Sequence, residues 1–246
     1  MKGVKGIHFT DGKDILLDLL YPRRCPLCNQ IRPFQQAAAC PECMKKLRKV
    51  EAPRCLKCGK TIDSEDEEYC MDCQSVPKSY QRGYPVFEYT EAIKNALYDF
   101  KYKNQRDYAA FFADCMYQYY GVQLKKLKID GIVPVPVHAR KKRARGYNQA
   151  ELLARELAVS LQVPVYPHYL TRRENTSPQK DLNQAARMKN LKNAFKIGRN
   201  KIKLRRILLV DDIYTSGATI EACTRTLLLS GAEEVYYTSV AIGQGY

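Results

Sequence analysis

The chain has 246 residues, of which 45% are hydrophobic, and its formal net charge at pH 7 is +15. That hydrophobic content supports a packed core and excludes an intrinsically disordered chain. No apolar run approaches the roughly 18 residues of a membrane span, and the first residues do not resemble a secretory signal, so we expect a cytoplasmic protein without a membrane span. The positive charge indicates nucleic acid or phosphorylated substrates as partners, although general solubility is the simpler explanation.

Three units are predicted along the chain. Residues 1–21 contain a short amphipathic helix at 14–20, residues 22–78 are rich in cysteine and proline, and residues 79–246 alternate strands with helices. The predicted strands are 83–89, 131–137, 163–166, 193–197, 206–212 and 235–242, and the predicted helices are 91–101, 107–120, 149–161 and 220–230. This alternation is typical of an α/β fold with an open, mainly parallel sheet and flanking helices.

Eight of the ten cysteines form four Cys-x-x-Cys pairs at a regular spacing. The pairs are Cys25/Cys28, Cys40/Cys43, Cys55/Cys58 and Cys70/Cys73. In a cytosolic chain such pairs indicate zinc ligands rather than disulfides, and two pairs complete one tetrahedron. Four thiolates leave no position open for catalysis, and a segment this polar would not fold on its own core. We therefore predict two structural zinc ions, with a redox role of the pairs as the alternative.

The neighbours of the cysteines indicate which pairs share an ion. Arginine precedes both the first and the third pair, and residues that tolerate a left-handed backbone, Asn29 and Gly59, follow them. The repeat is therefore about thirty residues long, and it favours one ion in the first two pairs and one in the last two. Crossed pairing, of the first pair with the third, remains open.

Two acids follow the apolar run that ends at Val210. Asp211 and Asp212 precede a polar loop, and a helix is predicted after it. The loop residues are Thr215, Ser216, Gly217, Ala218 and Thr219. At the carboxyl end of a parallel strand, helix N-terminal amides favour a bound phosphate, whereas carboxylates favour a ligand with hydroxyl groups, such as a ribose. The alternative is an ordinary strand-turn-helix with a capping hydroxyl.

This segment resembles the signature of the type I phosphoribosyltransferases. The resemblance implies that Asp211 and Asp212 accept hydrogen bonds from the ribose hydroxyls of phosphoribosyl pyrophosphate (PRPP). It also implies that residues 215–219 surround the 5-phosphate and that Mg²⁺ accompanies PRPP.

A basic segment follows the predicted strand at 131–137. Five cations lie within six positions, and Arg140, Arg143 and Arg145 are our candidates for binding the pyrophosphate of PRPP. We expect this segment to be a loop at the carboxyl end of the strand. A solvated face is the alternative, and some of the five cations could face nucleic acid instead.

A polar stretch at 171–187 has the position of the mobile loop that closes over PRPP in these enzymes. Arg172, Thr176 and Gln179 are the candidate closing residues. A plain surface connection is the alternative.

The order of these motifs over nearly the whole chain resembles the ComF family of competence proteins, of the ComFC type. The motifs are the four Cys-x-x-Cys pairs, Pro-Val-Pro…Arg-Gly-Tyr-Asn-Gln, Thr-Arg…Thr…Gln…Arg-x-x-Asn-Leu-Lys-x-Ala-Phe, and Val-Asp-Asp. The resemblance implies a double zinc ribbon joined to a phosphoribosyltransferase-like domain, and a role in natural transformation. It also implies handling of single-stranded DNA in the cytoplasm with a helicase-like partner. Phosphoribosyl transfer is one expectation, and a DNA-binding adaptor that keeps the PRPP pocket as a sensor or vestige is the other.

Overall fold

The computed structural model describes residues 22–32, 38–172, 194–199 and 202–243. The elements in chain order are α1 (Pro41–Lys45), α2 (Met71–Ser75), β1 (Gly83–Glu88), α3 (Glu91–Tyr102), α4 (Tyr108–Lys126), β2 (Gly131–Pro134), α5 (Ala139–Arg145), α6 (Gln149–Leu161), β3 (Leu170–Arg172), β4 (Phe195–Ile197), β5 (Arg206–Tyr214), α7 (Ala218–Leu229) and β6 (Glu234–Ile242). The predicted helix at 14–20 lies outside the described residues. Within the described ranges, no helix combines the length and the apolar character that crossing a membrane requires.

Four strands form one parallel sheet in the order β1–β6–β5–β2. Helices connect and cover these strands, which confirms the predicted α/β fold class. The predicted strand at 163–166 is reduced to a single bridge between Val165 and Ile132 at the β2 edge. One strand was not predicted: β3, at the start of the polar stretch, pairs antiparallel with β4.

The basic segment after β2 differs from the expected loop. It forms the short helix α5, which ends at a left-handed Gly146 with φ of 80°. Asn148 then begins α6 by accepting a hydrogen bond from the amide of Ala150, while its side-chain amide donates to the carbonyl of Val135. These bonds hold α5 and α6 against the carboxyl end of β2.

The sheet has an apolar layer on each face, and the central strand β5 contributes to both. Its residues alternate between the layers because successive strand side chains point to opposite faces. Leu208 and Val210 belong to the layer covered by α3, α4 and α6, whereas Ile207 and Leu209 belong to the layer that includes α7. All four side chains are fully buried.

The cysteine-rich module lies across the β1 edge of the sheet. The chain at residues 48–50 runs antiparallel to β1, with bonds of 3.0 Å from the Val50 amide to the Val86 carbonyl and 2.9 Å from the Glu88 amide to the Arg48 carbonyl. The first two cysteine pairs pack on the layer with α3 and α4, and the last two on the layer with α7. The module therefore covers an edge that would otherwise expose unpaired backbone groups.

Candidate functional site

The eight paired cysteines come together as two clusters of four. In each cluster, all four ligand sulfurs lie within 4.8 Å of one another, and the members are Cys25, Cys28, Cys40 and Cys43 in the first and Cys55, Cys58, Cys70 and Cys73 in the second. In the first cluster, Cys28 Sγ lies 3.7 Å from Cys40 Sγ, and in the second, Cys58 Sγ lies 3.6 Å from Cys70 Sγ. Sulfurs bound to zinc at about 2.3 Å would stand roughly 3.8 Å apart in a regular tetrahedron. Both clusters fit zinc, and the pairing is consecutive rather than crossed.

The two clusters repeat the same backbone turn. Asn29 has φ of 60° and Gly59 has φ of 76°, as the sequence predicted. Each amide donates back to the first cysteine of its pair, Asn29 to Cys25 at 2.8 Å and Gly59 to Cys55 at 2.9 Å. A side chain at Gly59 would also collide with β1, because its Cβ would lie 2.6 Å from Pro85 Cδ. The second cluster is therefore fitted closely against the sheet.

The two acids lie near the carboxyl end of β5, which extends two residues beyond the predicted 206–212. Asp212 is 8% exposed, and its carboxylate forms an ion pair of 2.6 Å with Lys101 at the end of α3. Asp211 Oδ1 accepts a 2.9 Å hydrogen bond from the Asp212 amide. The strand alternation directs the two carboxyl groups to opposite faces of the sheet at its carboxyl edge.

The carboxyl groups at this edge share one neighbouring cation, Lys101. Burial and the neighbouring Asp212 carboxylate raise the pKa of Asp211 well above its usual range, and Lys101 offsets only part of that rise. Burial lowers the pKa of Lys101, but attraction to Asp212 and Asp211 outweighs it, so the pKa is raised overall. Lys101 therefore stays charged as the counterion of Asp212, while Asp211 retains a proton to higher pH than an ordinary carboxyl group.

The polar loop turns sharply at Gly217 before α7. Gly217 has φ of 73° and ψ of 0°, and its Cβ would lie 2.1 Å from Tyr214 Oη, so only glycine fits. Glu221 makes a 2.8 Å bond from its amide to the Gly217 carbonyl. The amides of the first helical residues have no acceptor within the helix. They provide donors and a positive dipole end at the carboxyl edge of the sheet.

A cluster of buried tyrosines packs against the loop at residues 215–219. Tyr214 and Tyr237 are parallel with ring centroids 4.9 Å apart, and Tyr80 Oη lies 2.9 Å from Tyr214 Oη. Tyr237 Oη donates a 2.7 Å hydrogen bond to the carbonyl of Cys58 in the second cysteine cluster. A continuous set of contacts thus runs from that cluster to the ring against which Gly217 packs.

Residues 78–79, just after the cysteine module, form hydrogen bonds with the loop and with α7. Ser79 donates from both its amide and its hydroxyl to the Glu221 carboxylate, at 2.7 Å each. Glu221 is 4% exposed and also pairs with Arg225 at 2.6 Å. Lys78 Nζ lies 3.4 Å from the Ser216 carbonyl. These bonds fix the first turn of α7 relative to the cysteine module.

The three candidate arginines of α5 are placed differently. Arg145 donates to Tyr102 Oη and to Gln149 Oε1, at 2.9 Å each, and its guanidinium lies 4.7 Å from the Tyr102 ring centroid. Arg140 and Arg143 are exposed. The structure therefore brings only Arg145 of the three into contact with α3.

A cavity of about 430 Å³ lies between α3 and α5. It is lined by Lys101, Tyr102, Asn104, Lys141, Ala144 and Arg145. Burial, Arg145 and Arg172 lower the pKa of Lys141, as expected where cations converge without matching acids. Lys101 is shared between this cationic cavity and the acid pair of β5.

The candidate closing residues are only partly described. Arg172 ends β3, its guanidinium lies 5.7 Å from the Phe195 ring centroid, and its buried Nε has no hydrogen-bond partner. Burial lowers the pKa of Arg172, whereas Cys223 and Asp211 raise it, so the guanidinium lies near the acid edge. Thr176 and Gln179 lie outside the described residues.

Comparison with known proteins extends this description. The chain is 32% identical to competence protein F of Haemophilus influenzae over 161 residues, which cover 63% of this chain and 70% of that protein. The chain belongs to the ComF family. The chain is also similar to the DNA utilization protein YhgH of Salmonella typhimurium, with 31% identity over 65% of this chain and 71% of that one. Competence protein ComFC of Bacillus subtilis is 30% identical over 59% of this chain and 58% of its own length.

Two further comparisons concern the parts of this ComF-family chain. A family described as the double zinc ribbon domain matches residues 16–74, which agrees with the two four-cysteine clusters. Among solved structures, an adenine phosphoribosyltransferase is 16% identical and covers 53% of this chain and 78% of its own, with a TM-score of 0.34. A likeness at this level says nothing about activity.

Sequence reasoning missed two sets of residues at this edge of the sheet. Lys101 was placed in a helix without a role, because a lone lysine at a helix end gives no signal of the acid that it will meet. Tyr80, Tyr214 and Tyr237 are separated by long stretches of sequence, and only the sheet brings them together. The tyrosine count of 18 was the one available hint.

Proposed function

We propose that this ComF-family chain binds PRPP with Mg²⁺ at the carboxyl end of β5 and binds single-stranded DNA in the cytoplasm during natural transformation. One observation supports the PRPP site most strongly. The carboxylates of Asp211 and Asp212 lie immediately before a glycine turn that presents the N-terminal amides of α7 at the same edge of the sheet. Hydroxyl-accepting and phosphate-binding groups thus occur together, as a phosphorylated sugar requires.

The loop at residues 215–219 would hold the 5-phosphate. Its binding groups are the backbone amides of Thr215, Ser216, Gly217, Ala218 and Thr219, together with the hydroxyls of three of them. The tyrosine support and the Ser79–Glu221 bonds keep the loop in one conformation before the ligand arrives. Less ordering free energy is then lost on binding.

The acid pair would accept hydrogen bonds from the ribose hydroxyls. Hard oxygen ligands also suit Mg²⁺, so Asp211 and Asp212 would hold the ion, which would neutralise part of the negative charge of the ligand. Lys101 is already charged beside Asp212, and the cavity that it lines also contains Arg145. We assign the pyrophosphate to this cavity. Arg145, which lines the cavity, is the first candidate for binding it, and the exposed Arg140 and Arg143 are further candidates.

Phosphoribosyl transfer would need little side-chain chemistry. Catalysis would rest on positioning the anomeric carbon and on stabilising the departing pyrophosphate in a site closed to water. Arg172, Thr176 and Gln179 are the proposed closing residues. The acceptor is not identified by the site, so an adaptor that only senses PRPP is the second candidate function.

Calorimetric titration with PRPP tests the site directly. We expect Mg²⁺-dependent binding of PRPP, weaker binding of ribose 5-phosphate and of pyrophosphate alone, and loss of binding in Asp211→Asn/Asp212→Asn. A chain that retains its zinc but binds none of these ligands would refute the PRPP site. A pyrophosphate-release assay with single-stranded DNA and small acceptors separates the two candidates, since an adaptor binds PRPP without releasing pyrophosphate.

The role in DNA handling is supported by family membership and charge. Relatives carry the names competence protein and DNA utilization protein, and this chain has a net charge of +15. We extend to it the helicase-like partner that the family resemblance implies. Co-purification of a helicase with the full chain from competent cells, compared before and after nuclease treatment, would test this partnership.

A further inference from the structure

Two exposed tyrosines lie side by side on α3. Tyr98 and Tyr102 are four residues apart, which places them on one helix face, and their ring centroids are 4.9 Å apart. They are 55% and 58% exposed, the highest values for any tyrosine in the described ranges. Neither ring contributes to the apolar layers of the sheet. Folding therefore does not account for these two aromatic side chains.

Helix α5 brings positive charge beside this pair of rings. The Arg145 guanidinium lies 4.7 Å from the Tyr102 ring centroid and donates to its hydroxyl, and the Tyr98 and Tyr102 rings are inclined to each other at 44°. From the same short helix, Arg140 and Arg143 project into solvent. Lys141 lines the adjoining cavity. The surface thus combines two solvent-exposed aromatic rings with the positive charge of a neighbouring helix.

We propose that Tyr98, Tyr102 and the exposed cations of α5 form the surface that binds single-stranded DNA. Unpaired bases would stack on the tyrosine rings, and the phosphates would contact Arg140 and Arg143. A duplex would not fit, because its base faces are already stacked. The inference rests on the proposed DNA-binding function and adds its location. It also places the strand next to the cavity assigned to pyrophosphate.

Binding of a labelled oligothymidine to the full chain tests the surface. Tyr98→Leu and Tyr102→Leu should each weaken binding about fivefold or more, the lower end of what one base–aromatic stack contributes. Tyr98→Phe should bind as the parent does, because the ring is kept. The matched control is Tyr69→Leu, which removes an exposed tyrosine from the second zinc cluster region. Zinc content and the melting temperature confirm that each variant is folded.

The outcomes separate this inference from the function on which it rests. A parent chain that binds no oligonucleotide would refute the DNA-binding function itself. A parent that binds, with Tyr98→Leu/Tyr102→Leu binding equally well, would refute the surface alone, and a loss in Tyr69→Leu would place DNA on the zinc module instead.

Salt titration tests the cations separately. Arg140→Gln/Arg143→Gln should lower the slope of log affinity against log salt by about one to two, since each phosphate contact contributes roughly 0.7 on a single strand. An unchanged slope, together with a loss of PRPP affinity, would assign these arginines to pyrophosphate and overturn their place in the DNA surface. Photo-crosslinking of an iodouracil oligonucleotide should label the peptide that contains Tyr98 and Tyr102, and labelling elsewhere would contradict the proposal.

Discussion

Tyr237 donates a hydrogen bond of 2.7 Å to the carbonyl of Cys58, while its ring stacks on Tyr214. One buried side chain thus contacts both the second cysteine cluster and the ring against which Gly217 packs. Tyr237→Phe should cost about 1 kcal/mol of unfolding free energy, because the Cys58 carbonyl loses its donor. PRPP affinity should fall several-fold with zinc retained, as measured by thermal melting and calorimetry. Tyr236→Phe, which removes a 3.0 Å bond to Glu234 on the same strand, is the control and should leave affinity unchanged.

The two zinc clusters should differ in their effect on PRPP. Cys58 is buried in the cluster that contacts Tyr237, whereas Cys28 is exposed in the cluster on the other face. Metal analysis should find two zinc ions in the parent and about one in each of Cys58→Ser and Cys28→Ser. Only Cys58→Ser should also weaken PRPP binding. Equal losses of affinity in both variants would argue against a specific connection, and one zinc in the parent would contradict the two-ion assignment.

Lys101 should be important for stability as well as for binding. Its ion pair with Asp212 is largely buried, with side chains 20% and 11% exposed. Lys101→Met leaves a buried carboxylate without its partner and should cost about 3 kcal/mol. Denaturant unfolding should show recovery in the double variant with Asp212→Asn. The exposed pair Lys94–Glu91 is the control, and Lys94→Met should cost less than about 1 kcal/mol. Equal costs for the two lysine variants would contradict this account.

The raised pKa of Asp211 predicts a specific pH dependence. Burial and the Asp212 carboxylate raise this pKa above its ordinary value of 3.8, so the folded chain holds a proton that the unfolded chain has released. Unfolding free energy should therefore fall as pH rises from about 3.8 towards the folded pKa. Asp211→Asn removes this contribution, so its stability relative to the parent should increase with pH across that window. Denaturant titrations at several pH values measure the difference, and a constant difference would rule this origin out.

The titration of Asp211 should affect PRPP affinity in the direction opposite to its effect on stability. The ionised carboxylate is the form that accepts ribose hydroxyls and attracts Mg²⁺, so affinity should rise with pH through the folded pKa of Asp211. Calorimetry in buffers of different ionisation enthalpy should detect proton release on binding. No release in the parent would show that Asp211 does not ionise when the ligand binds.

Gly217 and Gly231 separate two costs of adding a side chain. Both have positive φ, 73° and 99°, but a Cβ at Gly217 would meet Tyr214 Oη at 2.1 Å, whereas Gly231 has no neighbour within 4 Å. Gly231→Ala should lose about 1 kcal/mol from backbone strain alone. Gly217→Ala should lose more, because Tyr214 must move, and it should also abolish PRPP binding. Thermal melts compare the stability of the two variants. Equal losses of stability would show that Tyr214 can move aside at no measurable cost.

The sequence by itself determined the elements whose evidence is local. The spacing of eight cysteines, with Asn29 and Gly59 after alternate pairs, predicted both clusters and their turns. The apolar run before Asp211 predicted the central strand, and the ordered motifs predicted the family. These signals are read within a few residues, because zinc knuckles and strand-loop-helix units are built from neighbours in the chain.

Tertiary structure decided the contacts between distant segments. The partner of Asp212 is Lys101, more than a hundred residues away. Gly217 of the loop packs on Tyr214, which stacks on Tyr237, the donor to the Cys58 carbonyl. The module's position across the β1 edge, with one cluster on each face, also follows from packing. A residue's type and its local pattern do not indicate which distant group will pair with it or pack beside it. Those contacts depend on how the helices and the cysteine module pack on the sheet.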